Sequence, residues 1–213
     1  MSANSYNSVF DYRALRLLMG LIAILIAPVV IIISSESLSS ISASYYTNAR
    51  DVFVGSLFIV GAFWWAYRGH MFKQTVISRV ASIAAILVAL FPTACATCGP
   101  SLASRIHVVA AITFFSILAY FCFGPFRLNT KGRGGKRGAR SKIYFGCGCV
   151  IVGSMLVGLI AHLTMSDEAI DARNIIFWVE LSALTAFGLA WLVAGKYFRI
   201  LVDDDQAINL FSR

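Results

Sequence analysis

One carboxylate stands inside an apolar run. Glu180 lies about five residues into the stretch Ile175–Ala194, roughly 7–8 Å past its start if the run is a helix. A charge at that depth in lipid costs roughly 2–3 kcal/mol or more unless it is paired or protonated. Glu180 must therefore face a protein interior or a wet cavity. Three further polar residues fall on the same side when alternate runs are antiparallel: Asp51 and His107 near the start of their runs and His162 near the end of its own. Two imidazoles and two carboxylates are a set that would bind a divalent metal and activate water. In that reading His107, Asp51 and His162 hold the ion and Glu180 is the general base. The same set would equally form a proton relay through Glu180 and His107. It would also form the polar end of a ligand pocket, with Ser42, Tyr45, Tyr46 and Arg50 beside it. A fourth reading is structural, with Arg50 or Arg105 neutralising Glu180. The His-x-x-x-His spacing of many zinc helices is absent from the sequence.

The cysteines offer a second chemistry. Cys95-Ala96-Thr97-Cys98 follows the third apolar run. Such a pair would exchange disulfides with a membrane quinone, or close a structural disulfide in an oxidising compartment. Electron relays of that kind use a second external pair, which the sequence does not supply. Cys122, Cys147 and Cys149 fall toward the opposite ends of their runs and are expected to pack as small apolar residues.

Positioning these groups falls to six apolar stretches, near 13–33, 51–67, 76–94, 106–123, 143–163 and 175–194. Each is close to the roughly 20 residues a helix needs to cross the hydrocarbon core. Continuous runs of this kind are helices rather than barrel strands. Apolar residues make up 59% of the 213 and charged residues 13%, with a mean hydropathy of +0.78. These values exclude an ordinary soluble domain. The expected fold is all-α: a polytopic membrane protein, one domain, a bundle of six transmembrane helices.

Charge then orients the bundle. Of 18 basic residues, 15 lie in the N-terminal segment, the second loop, the loop 127–142 and the tail. The alternate loops hold only Arg50, Arg105 and Arg173. Positive charge marks the cytoplasmic side, so both termini and the basic loop are expected there, most simply in a bacterial inner membrane. The first run is too long for a signal-peptide core and is read as an uncleaved helix, loosened near Pro28. The Gly/Arg-rich loop is expected to be flexible and to attract anionic lipid headgroups. No aromatic residues interleave with its cations, so nucleic acid is not an expected partner. The external loop 34–50 is rich in Ser and Tyr, and Asp51 after it is a natural helix N-cap. Glycines 55, 61, 146, 148, 153 and 158 suggest close packing of helices. Trp64, Trp65, Trp178 and Trp191 are read as interface belts and packing residues.

Several strings carry a resemblance. Ser40-Ile41-Ser42-Ala43-Ser44-Tyr45-Tyr46-Thr47, Arg50-Asp51-Val52-Phe53-Val54-Gly55, Ala89-Leu90-Phe91-Pro92-Thr93, Ile106-His107 and Phe177-Trp178-Val179-Glu180 resemble a group of uncharacterised bacterial six-helix membrane proteins. As a group these are distantly similar to the eukaryotic DRAM/Sfk-type membrane proteins. The resemblance implies that Ser42, Arg50, Asp51, His107 and Glu180 sit in family-type strings, and it brings no activity. A looser likeness is to ceramidase-like membrane hydrolases, which bind zinc through Ser, Asp and His. Ser42, Asp51 and His107 match those residue types, but the paired-histidine helix is missing.

The leading expectation is therefore an outward-facing polar pocket, lined by Ser42, Tyr45, Tyr46, Arg50, Asp51, His107 and Glu180. It would bind a lipid or small amphiphile in an accessory, sensing or transport role. Metal-dependent lipid hydrolysis and a proton-coupled channel or carrier are the alternatives. Neither the oligomeric state nor a resident cofactor is legible.

Overall fold

Each long apolar run must satisfy its own backbone, and each becomes a helix. The computed structural model of the chain describes residues 12–69, 71–94 and 101–201. The helices are α1 (Tyr12–Ile33), α2 (Arg50–Ala66), α3 (Phe72–Leu90), α4 (Leu102–Phe123), α5 (Gly135–Thr164), α6 (Asp167–Ala172) and α7 (Ile175–Ala194). No strand occurs among the described residues. Five of these, α1, α3, α4, α5 and α7, are long and apolar enough to cross a membrane. The 17 residues of α2 give about 25 Å of helix, short of the hydrocarbon thickness.

Consecutive long helices pack side by side, and α7 closes on α1. The result is a ring of α1, α2, α3, α4, α5 and α7, with the short α6 linking α5 to α7. Hydroxyls join α2 to α3: Ser82 donates to the Gly61 carbonyl (2.7 Å) and Ser78 to that of Tyr67 (3.0 Å). Gly61 permits this approach, because a Cβ there would meet Ile86 at 2.8 Å. A Cβ at Gly55, Gly146 or Gly153 would meet nothing within 4 Å outside its own helix, so the expectation that the glycines mark packing holds for only part of the set.

The end of the ring holding the chain reversals α2–α3 and α4–α5 is plugged by rings. Trp64 lies 4.7 Å from Phe121 and 5.6 Å from Trp191, centroid to centroid, both edge to face. Tyr67, Phe126 and Phe187 complete the plug. Trp64 and Trp191 are fully buried, so belt positions they are not; Trp65 and Trp178 remain exposed. Both buried indole N–H groups lack an acceptor among the described residues, a cost offset by aromatic packing. Arg16 caps the C-terminal end of α7 by donating to the Ala194 carbonyl at 2.8 Å, where a cation suits the helix dipole.

Two expectations change. The basic segment is not loop throughout: Gly135–Lys142 forms the first turns of α5. Its side chains tie it down, since Arg127 Nε donates to Ser141 Oγ (3.2 Å) and Arg140 to the Leu201 carbonyl (2.6 Å). Asp51 is not the cap of α2; Ala49 holds that position without a side-chain bond. The carboxylate sits in the first turn, where the dipole favours it. Helix α1 continues through Pro28 without a break.

Candidate functional site

The loop before α2 is a strap folded across the end of the ring opposite the aromatic plug. Leu38, Ile41 and Ala49 are buried against Ile26, Val30, Phe53 and Phe177. An irregular backbone beside lipid needs internal partners, and the serines supply them. Ser40 Oγ accepts from the Ala43 N–H (2.9 Å), and Ser44 Oγ donates to the Ile41 carbonyl (2.6 Å). Thr47 Oγ1 donates to the Ser44 carbonyl (3.0 Å) and accepts from the Ala49 N–H (3.1 Å). Side-chain bonds of this local kind hold Ser42–Tyr46 in a short 3-10 turn. The Ser-rich composition is thus a backbone device.

Glu180 fastens this strap to α7. Its Oε2 accepts the N–H of Ile41 at 2.5 Å and of Ser42 at 3.2 Å, and its Oε1 accepts the Ser42 hydroxyl at 2.7 Å. The N–H of Phe177, an orphan of the first turn of α7, donates to the Ser39 carbonyl at 3.0 Å. The strap and the start of α7 therefore exchange donors in both directions. Neither Arg50 nor Arg105 is the partner of Glu180; main-chain N–H groups and one hydroxyl are.

Beneath the clamp lies a cavity of about 50 Å³. Glu180 and Ser42 form its polar end, and Met19, Val60, Phe114 and Phe187 stand on its walls. It runs down the ring axis toward the aromatic plug. From Glu180 to Phe187 is seven residues, ~10 Å along α7. The space admits a water or two, with Glu180 partly accessible on its wall.

The remaining site residues lie elsewhere. Arg50 stacks its guanidinium 4.4 Å from the Tyr45 ring centre and donates to the Tyr45 hydroxyl at 2.9 Å, both on the outer surface. Asp51 is exposed beside them. His107 is buried on α4, its Nδ1 2.7 Å from the Phe91 carbonyl. A carbonyl only accepts, so Nδ1 carries the proton and caps the C-terminal end of α3. His162 is exposed, 4.0 Å from Asp167. The structure brings Ser42 and Glu180 together, and Tyr45 with Arg50. It does not gather His107, Asp51 and His162, and no group of three metal-ligating side chains occurs among the described residues. Cys95 and Cys98 lie outside the described residues; Cys122, Cys147 and Cys149 are free thiols.

Tyr46 ties the strap to the segment after α3, donating to the Thr93 carbonyl at 2.7 Å. Desolvation, then the neighbouring Tyr45, raises the Tyr46 hydroxyl above its usual value of 10.0. A raised pKa means the folded chain holds the proton more tightly. The stabilisation is complete below the unfolded value and fades as pH climbs through the folded one. Limited proteolysis of the strap should therefore accelerate above about pH 10 in wild type. Tyr46→Phe should cleave faster already at neutral pH and lose the alkaline step; an unchanged step would assign it to another group. No family model, no curated protein and no solved structure matches this chain.

Proposed function

We propose that the chain is a six-pass membrane protein that binds a lipid or small amphiphile inside the ring, with the strap as cover and Glu180 as its latch. One observation carries this reading: an apolar cavity on the ring axis has its polar end made by an intramembrane carboxylate and a serine of the covering loop. Ionisable groups at such depth are rare and commonly functional. In the closed state the cavity is small, so an occupant enters as the strap lifts. Its apolar part lies along Leu57, Leu184 and Phe187 and its polar part meets the donors that Glu180 releases. The α2 helix is the sixth crossing, short and thinning the bilayer locally. Its end carries Trp65, which lies 5.2 Å from the Arg79 guanidinium. Basic residues cluster at the plugged end, and this charge bias supports a cytoplasmic side for that end and for both termini, with the strap then on the outer face of a bacterial inner membrane.

The test is what the protein carries. Wild type purified in mild detergent should release an amphiphile detectable by mass spectrometry. Ala111→Phe, which fills the cavity from α4, should carry about tenfold less while unfolding near the same temperature. Equal loads of the same lipids in both proteins would sink the reading.

A further inference from the structure

A second depression lies outside the ring, on the face shared by α3 and α4, with a volume of about 340 Å³. That is within the ~300–1,000 Å³ range of ligand sites. Ile83 and Leu87 form one wall, Val109 and Thr113 the other, and the small Ala84 and Ala110 the floor. The spacing explains the groove. Residues three and four apart share a helix face, so two alanines facing each other leave a channel between taller neighbours. The Thr113 hydroxyl donates to the Val109 carbonyl at 2.8 Å, which removes it as a polar contact. The lining is otherwise apolar except at one end.

That end is Arg105. It is exposed in the first turns of α4, at the end of the ring covered by the strap. Arg50 at the same end is engaged by Tyr45. The main-chain N–H of Arg105 donates to the Ser101 carbonyl at 3.1 Å, but its guanidinium has no hydrogen bond or ion pair among the described residues. From Arg105 to Thr113 is eight residues, ~12 Å of helix. A lone cation therefore heads a narrow apolar channel that runs toward the bilayer centre. The shape suits a linear chain and the charge suits an anion, and both belong to one class of molecule. A free anion would make no use of the apolar channel.

We propose that the α3/α4 groove is a binding site for a phospholipid with an anionic headgroup, its acyl chain between Ile83 and Val109 and its headgroup on Arg105. The site is separate from the cavity under the strap and does not depend on it. One arginine near a membrane surface adds about 1 kcal/mol toward anionic lipid, close to a fivefold preference.

The experiment uses the full chain in lipid nanodiscs containing phosphatidylglycerol or phosphatidylcholine with a photoactivatable group on the acyl chain. Crosslinks are mapped by mass spectrometry. In wild type, phosphatidylglycerol should label the groove residues of α3 and α4 about fivefold more than phosphatidylcholine. Arg105→Gln should bring that ratio to about one. Val109→Trp fills the channel from an exposed position and should reduce groove labelling by both lipids. Even labelling over the outward faces of all the helices overturns the site. So does a headgroup preference that survives Arg105→Gln, or groove labelling untouched by Val109→Trp.

Discussion

Glu180→Ala is expected to free the strap, raising hydrogen exchange at the Ile41 and Ser42 amides by about a hundredfold. Glu180 accepts three hydrogen bonds from the strap: two from main-chain N–H groups and one from the Ser42 hydroxyl. Ile41 and Ser42 are buried, and a buried donor left without an acceptor costs about 1–3 kcal/mol. The strap's apolar contacts remain, so the loss is local opening rather than collapse of the ring. The substitutions should form a series. Ser42→Ala removes one donor and its bond together, and should raise exchange only several-fold. Glu180→Gln keeps the shape but turns one oxygen into an N–H₂ group, which faces a donor; its effect should fall between. If all three variants exchange like wild type, apolar burial holds the strap and Glu180 is no latch.

The physical basis for what was legible is uneven. Helices announce themselves because lipid forbids unsatisfied backbone, and their apolar runs are continuous. Their ends are less clear. Phe72–Thr75 and Gly135–Lys142 are helical, yet polar enough to look like loop, because a helix continues past the bilayer without needing apolar residues. Glu180 and Ser42 both stand out in the sequence, one by depth and the other by its string. Their pairing does not, since two of three donors are main-chain N–H groups that any residue carries. His107 has the residue type of a ligand but serves a carbonyl at the end of α3, a role with no sequence signature at a separation of 16 residues. Trp64 and Trp191 have belt composition and core positions because hydropathy does not say which face of a helix points inward.

Gly20 and Gly188 illustrate the same gap and lead to the second large expected effect. Each is a single glycine on its own helix, so no small-x-x-x-small repeat marks either one. Yet they are where α1 and α7 touch. A Cβ at Gly188 would lie 2.7 Å from the Gly20 carbonyl oxygen and 2.6 Å from Ile24 Cγ1. At Gly20 it would meet the Leu192 side chain at 2.7 Å and the Gly188 oxygen at 3.0 Å. Alanine is the better helix former by about 1 kcal/mol, which alone would stabilise either helix. At Gly188 the overlap wins, because a main-chain oxygen has no rotamer to move to, and forcing extra atoms into such a seam costs roughly 1–3 kcal/mol. Gly188→Ala should therefore lower stability by about 2 kcal/mol in detergent unfolding. Gly20→Ala should cost clearly less, since Leu192 can turn aside. The double variant should be non-additive, because both substitutions separate one pair of helices. That seam also carries Ile22 and Ala23 on one side and Leu184 and Phe187 on the other, all on the cavity wall. Gly188→Ala should thus loosen the cavity while leaving the three bonds at Glu180 in place. Strap exchange would stay near wild type as global stability falls, opposite to the pattern expected of Glu180→Ala. Equal stability of Gly188→Ala and wild type would mean that α1 and α7 do not meet backbone to backbone.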